Sequence, residues 1–385
     1  MNFSRRDFGK YFLGSIPAAT AMLSGGNLLA ATGAGAQSHP PYPALMNRRG
    51  AGCLEGDFNS GFAGVQIGVI TWYSYRQMPN LTVPALLNYL IEDGISGCEL
   101  ECGAAEPYAG APAGSGPFGG FGGRGRGPRG PFRPPTPAQR AAMQAAAKEQ
   151  LEALNKWRLS VPMSKFEAIR KMFNAQGVQI YGFKLEPAES WFPDAVLNYA
   201  FRVCKALGAD QLTMEMPGGY QGNGSSRHWV TDLAFTKRLG TIAAKYKVMV
   251  GYHAHLQATP TLWDAPMDQS EYNGINLDVG HYVAAGNHDA IDFVRKNHAR
   301  ITSIHLKDRC YPDHNHGSNE VWGQGDTPLK GLLQLMRDNK YTFPGSIELE
   351  YAIPKNSNPV IECGRCLAWA KDVLLSNGPL IAKTA

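Results

Sequence analysis

Near the middle of the chain, GYHAHLQ at residues 251–257 sets two imidazoles one residue apart at the end of the apolar run KVMVGY. On an extended run residues i and i+2 share a face, so His253 and His255 are aimed at one place, as packing, as a surface pair or as part of a site. Later apolar runs close on residues of the same kind: Asp278 with His281 three positions on in LDVGH, His305 with Lys307 and Asp308 in HLKD, and Glu348 with Glu350 in GSIELE. Singly, His281 reads as a helix cap, Asp278 as a turn former and His305 as a core histidine. Jointly, imidazole with carboxylate suits one divalent ion: manganese first, then cobalt or zinc, with magnesium less suited because it prefers oxygen throughout. No cysteine falls at these ends, which argues against a structural zinc centre there.

These segments lie far apart in sequence, and the order of elements must bring them to one rim. Eight β-like runs, VQIGVITWYS, GISGCELE, GVQIYGFKLE, ADQLTMEM, KVMVGYHAH, GINLDVGHY, ITSIHLKD and GSIELEYA, alternate with amphipathic segments such as VPALLNYLIEDG and PDAVLNYAFRVCKALG. Eight such units predict an α/β chain folded as a single-domain (β/α)8 TIM barrel over residues 64–375, with its chemistry at the C-terminal strand ends. On that barrel His253, Asp278, His305 and Glu350 come from four successive strands. Glu186 and Glu215 close the third and fourth runs. Glu99 and Glu101 alternate onto one face of the second, as site residues or as a buried surface pair.

The motifs LDVGH, HLKD and GSIELE resemble those of the xylose-isomerase-like TIM barrels, a family that includes sugar-phosphate isomerases, keto-sugar 3-epimerases, inosose dehydratases and endonuclease IV. The resemblance covers about residues 64–375. It implies a metal held by Asp278, His305 and Glu350, which stands five beyond Gly345, with His281 completing the sixth-strand pair. Where the epimerases add a Glu on strand five, this chain carries His253, in a stretch similar to the YHxH of the inosose dehydratase-like branch. His253 is thereby implied as the fourth ligand and His255 as a substrate contact. The implied activity is that of a metal-dependent isomerase or epimerase, removing a proton beside a metal-polarised carbonyl of a sugar or cyclitol.

With one of the two epimerase glutamates gone, Glu350 remains as base, and His281, Lys307, Glu186 and Glu215 are the candidates for the complementary acid. His281 and Lys307 are expected in catalysis, and His255, Glu186, Glu215 and Asp308 at the substrate. A lyase or dehydratase using the same enolisation is an alternative, as is a sugar-binding module without turnover. The endonuclease IV branch needs more His and acidic ligands and a basic groove.

The 385 residues are 44% hydrophobic with a formal charge of +5, part of which sits in GGRGRGPRGPFR, so the folded body is near neutral and no nucleic-acid partner is implied. Residues 1–36 read as a twin-arginine signal, with Arg5 and Arg6 before a moderately apolar stretch and Ala34, Gly35 and Ala36 at the cleavage site. An amphipathic helix or membrane anchor is the plainer alternative, weakened by the Gly and Pro content. The expectation is a periplasmic enzyme with no stable membrane anchor, free to form homo-oligomers.

An extension at 37–63, a disordered Gly/Pro/Arg-rich insertion at about 109–135 and a tail at 376–385 surround or interrupt the barrel. After the insertion, TPAQRAAMQAAAKEQLEALNKW predicts a helix capped by Thr136 with Pro137 in its first turn. Seven cysteines are too sparse for a disulfide scaffold; Cys363 and Cys366 make one C-x-x-C, a disulfide candidate, and Cys98 and Cys102 share one expected strand.

Overall fold

The computed structural model describes residues 59–112, 136–186, 192–223 and 226–376. The twin-arginine segment, residues 37–58 of the extension, 113–135 of the insertion and 377–385 of the tail lie outside the described residues.

Eight parallel strands make the barrel: β1 Val65–Ile70, β2 Gly97–Glu101, β3 Gln179–Lys184, β4 Gln211–Glu215, β5 Met249–His253, β6 Asn273–Asp278, β7 Ile301–Leu306 and β8 Gly345–Ile347. Each pairs with its neighbours in sequence, and β8 returns to β1 with Gly345 beside Ile67 and Ile347 beside Val69, so the sheet closes. All eight expected runs are strands. Their near-continuous apolar character follows from burial on both faces. Along β1, Val65, Ile67 and Val69 are buried on one face, while on the other a Cβ at Gly68 would lie within 2.4 Å of the Tyr181 ring. Tyr181 takes that space because the β2–β3 register shifts between Cys98 and Glu99, and its hydroxyl meets Ser346 Oγ at 2.5 Å.

Helices between the strands begin and end for local reasons. Val83–Asp93 and Asp194–Leu207 stop at Gly94 and Gly208, whose φ of +80° and +75° suits glycine. Pro137–Ser160 starts at a capping box: Thr136 Oγ1 accepts from Gln139 N at 3.2 Å, and Thr136 N donates to Gln139 Oε1 at 2.8 Å. No helix among the described residues is long and apolar enough to cross a membrane. Residues 218–230 group separately and hold all but the last residue of a two-stranded sheet of Gly218–Gln221 and His228–Thr231, with Tyr220 and Trp229 edge to face at 5.2 Å.

Two cysteine expectations are corrected. Cys102 opens the helix Cys102–Tyr108 instead of extending β2. Cys363 and Cys366 are buried free thiols one turn apart on the helix Pro359–Leu375, packed as small apolar groups and not bridged.

Candidate active site

Strand alternation carries Glu99, Gln211, Asn276 and Ser303 into the barrel interior, all buried. Gly182 makes the room, since a Cβ there would lie 2.8 Å from Gln211 Nε2 and 3.1 Å from Glu99 Cγ. Gln211 Nε2 and Asn276 Nδ2 both donate to Ser303 Oγ, at 2.9 and 2.7 Å, which turns Asn276 Oδ1 toward His253 Nδ1 at 2.7 Å. His253 therefore donates from Nδ1 and presents Nε2 as an acceptor. Burial holds its pKa well below the usual histidine value, so the ring is neutral.

His305, near the end of β7, sits between two carboxylates: Nε2 lies 3.2 Å from Glu99 Oε2 and Nδ1 lies 3.0 Å from Glu348 Oε2. Burial opposes a charge on this ring, yet Glu99 and Glu348 outweigh it and raise the pKa to about 10. The ring would have to give up one of its two protons to bind a metal.

Asp278, at the end of β6, divides its carboxylate. Oδ1 accepts from His281 N at 2.7 Å and starts the helix Val279–Ala284. Oδ2 lies 2.7 Å from Lys307 Nζ in an ion pair without hydrogen-bond geometry. Gly280 lets that helix approach the chain after β7, because a Cβ would lie 2.7 Å from Lys307 O, and this gives the spacing of D-V-G-H a steric reason. The donor atoms of His253, Asp278 and His305 all fall within 4.8 Å of one another, and all three residues are buried. Two imidazoles, of which that of His253 is already neutral, and the Asp278 carboxylate are donors of the types that fit a divalent metal.

Around this group, contacts run along the barrel mouth. Lys307 Nζ lies 3.0 Å from Glu350 Oε2, 3.1 Å from His281 Nε2 and 3.3 Å from Glu348 Oε2, and Glu350 Oε1 lies 3.3 Å from Arg76. Arg309 Nη1 approaches His281 Nδ1 at 2.6 Å. The His255 ring is centred 4.6 Å from that of His281 and 5.0 Å from that of His253, with Nε2 3.7 Å from Glu215 Oε2. Glu215 and Glu186 share Lys184 Nζ at 2.9 and 2.8 Å, and Tyr73 donates to Glu186 at 3.1 Å.

The charges follow from these partners. Burial opposes ionisation of Glu350 and Glu215, but Lys307 with Arg76, and Lys184, hold the two carboxyls below the usual range. Glu186 is raised, chiefly by burial. His281 is lowered by burial and then by Lys307, and stays neutral.

Of the expected site residues, His253 belongs to two donor groups, a fully buried one with Asp278 and His305 and a partly exposed one with His255 and His281, while Glu350 is linked to Asp278 through Lys307. His255, His281, Glu186 and Glu215 reach the mouth. Burial opposes the charge on Lys307, but Asp278, Glu348 and Glu350 outweigh it and hold its pKa well above the usual lysine value, so it stands at the mouth as a cation. One expectation is corrected. Asp308 does not reach the substrate side: its Oδ2 accepts from Gly323 N and Gly325 N at 2.7 and 3.0 Å and its Oδ1 from Thr327 N at 3.2 Å, anchoring the following loop.

Lys184, Asn276, Arg309 and Arg76 have no place in the sequence reading, which gives Glu348 no role and leaves Glu99 open between a site residue and a buried surface pair. A signal existed for two of them: Asn276 is two residues before Asp278 and Lys184 two before Glu186, on the same strand faces.

Comparison with known proteins agrees with this architecture. A family model described as xylose isomerase-like TIM barrel matches residues 137–367. No curated protein matches by sequence. Among solved structures, the IolI protein with a bound zinc atom superposes with a TM-score of 0.52 at 12% identity, covering 81% of this chain and 99% of that one. The probable 3-DHS dehydratase AsbF of Bacillus anthracis gives 0.50 at 14%, covering 81% and 100%. A sugar phosphate isomerase/epimerase from Parabacteroides distasonis gives 0.49 at 16%, covering 80% and 95%. At these identities the structural likeness is one of fold. The family match, which spans more than half the chain, goes further: this protein belongs to the xylose isomerase-like TIM barrel family.

Proposed function

We propose that the chain is a divalent-metal-dependent enzyme of the sugar isomerase or epimerase type, removing a proton beside the carbonyl of a sugar or cyclitol. The observation that carries this reading is the buried donor group of His253, Asp278 and His305 at the ends of three successive strands. A divalent ion held there, manganese in our reading with cobalt, zinc or magnesium as alternatives, would polarise the carbonyl and acidify the neighbouring C–H. Glu350 accepts the proton; Lys307 and Arg76 keep it ionised despite its burial. Lys307 also places a fixed positive charge where negative charge develops. His281 serves as a neutral hydrogen-bonding group, and His255 with Glu215 and Glu186 contacts substrate hydroxyls across the mouth.

A dehydratase reading shares the first step. It is favoured by imidazole standing at His253, which leaves Glu350 without a second glutamate to match it. Incubation of the metal-restored full chain with keto-sugars and inososes, with products read by NMR, separates the readings: an epimer or isomer supports the first and an elimination product the second. Loss of turnover with metal retained in Glu350→Gln supports the base. A metal-loaded chain that turns over nothing on the panel contradicts the enzyme and points to a sugar-binding module.

Export to the periplasm by the twin-arginine route belongs to the same proposal and rests on Arg5, Arg6 and the Ala34 to Ala36 site. Replacing both arginines with lysine should retain precursor in the cytoplasm; unchanged export contradicts it.

A further inference from the structure

A set of metal-ligand side chains away from the strand-end histidines lies in the segment after β7. Asp308–Arg309 and Asn319–Glu320 pair antiparallel, and the chain between them turns through three consecutive left-handed residues, Asn315, His316 and Gly317, at φ 47°, 54° and 68°. Two of these are not glycine, so side-chain contacts have to hold the turn. It brings His314 back onto Asp326, with Nδ1 2.7 Å from an Oδ2 that also accepts from Tyr311 N at 2.8 Å. Cys310 Sγ joins them: the donor atoms of Cys310, His314 and Asp326 lie within 4.8 Å of one another. Glu320 Oε1 lies 3.9 Å from Cys310 Sγ and is held in place by Asn315 Nδ2 at 2.8 Å and by Ser318 Oγ.

We propose that Cys310, His314 and Asp326 form a zinc site distinct from the barrel group, with Glu320 beside the sulfur. Thiolate, imidazole and carboxylate are zinc ligands, and three of them leave the fourth position of a tetrahedral ion to water. The sulfur separates this set from His253, Asp278 and His305, which offer only nitrogen and oxygen. On binding, the Cys310 thiol proton passes to solvent and His314 ligates as neutral imidazole. The site also reaches the barrel mouth through Arg309, which donates to Gly317 O from Nε at 2.9 Å and from Nη2, while its Nη1 meets His281 Nδ1. A metal clamp on the turn fixes Gly317 and with it the hold of Arg309 on His281.

The test titrates the metal-stripped full chain with Co2+, which occupies zinc sites and shows a near-ultraviolet sulfur-to-cobalt charge-transfer band when a thiolate ligates. The wild-type chain and His253→Ala should both develop the band, and added Zn2+ should abolish it. Cys310→Ser should lack it. His314→Ala, at a position whose side chain is 62% exposed, should fold and bind cobalt at this band at least about tenfold more weakly. No band in the folded wild type at saturating cobalt, a band that persists in Cys310→Ser, or unchanged affinity in His314→Ala overturns the site.

Discussion

Replacing Arg158 with Met should destabilise the barrel far more than the loss of one surface charge. Arg158 Nε and Nη2 donate to the two oxygens of Glu106 at 2.8 and 3.1 Å, and Tyr199 adds a hydrogen bond at 3.0 Å. The side chains of the pair are 0% and 1% exposed. The pair joins Pro137–Ser160, on one side of the insertion, to Cys102–Tyr108 on the other, and Leu154 is the only other side chain of the longer helix that is buried. Arg158→Met leaves the Glu106 carboxylate buried with Tyr199 alone, which costs about 3–5 kcal/mol. At about 2 °C per kcal/mol for a domain of this size, that corresponds to a fall of about 6–10 °C in Tm. Urea unfolding followed by circular dichroism across a double-mutant cycle with Glu106→Gln should give a coupling of at least about 2 kcal/mol. A single variant within about 0.5 kcal/mol of wild type, or a coupling near zero, refutes the reasoning.

Glu101 gives a pH-dependent counterpart. Its Oε2 accepts from Thr71 Oγ1 and Trp72 N at 2.5 and 2.8 Å, its Oε1 is buried without a hydrogen bond, and burial pushes its pKa from 4.5 up to about 8. A carboxyl with a raised folded pKa contributes stability fully present below the unfolded value and lost as pH rises through the folded one. Wild type should therefore lose stability relative to Glu101→Gln between pH 4.5 and about 8, by up to about 5 kcal/mol at about 1.4 kcal/mol per pH unit, read as Tm against pH; a difference independent of pH contradicts this. Asp308→Ala removes the acceptor of three backbone N–H groups and should cost about 2–3 kcal/mol in urea unfolding while leaving metal in the barrel, whereas loss of that metal with unchanged stability contradicts its role as an anchor.

What the sequence made legible was whatever depends on local period. The eight strands followed from their apolar runs, and His253, Asp278 and His305 from the positions at which those runs end. Asp308 was misassigned because its partners, the amides of Gly323, Gly325 and Thr327, are 15 to 19 residues away and leave no trace in HLKD. Lys184 was passed over because a lysine at a strand end resembles a surface charge until β4 sets Glu215 beside it. The bulge at Tyr181, and the polar floor it accompanies, depend on space left by Gly68 on β1 and Gly182 on β3, two strands apart, which no single run displays.

Metal content decides the assignment of the barrel group. The measurement is inductively coupled plasma mass spectrometry on the folded full chain, made in a Cys310→Ser background so that the loop after β7 does not contribute a thiolate site. The parent should hold one equivalent of divalent metal, His253→Ala should lose most of it, and His255→Ala should retain it. Full occupancy in His253→Ala together with loss in His255→Ala would contradict the assignment of His253 as ligand, and an unchanged metal content in both would place the ion away from these strand ends.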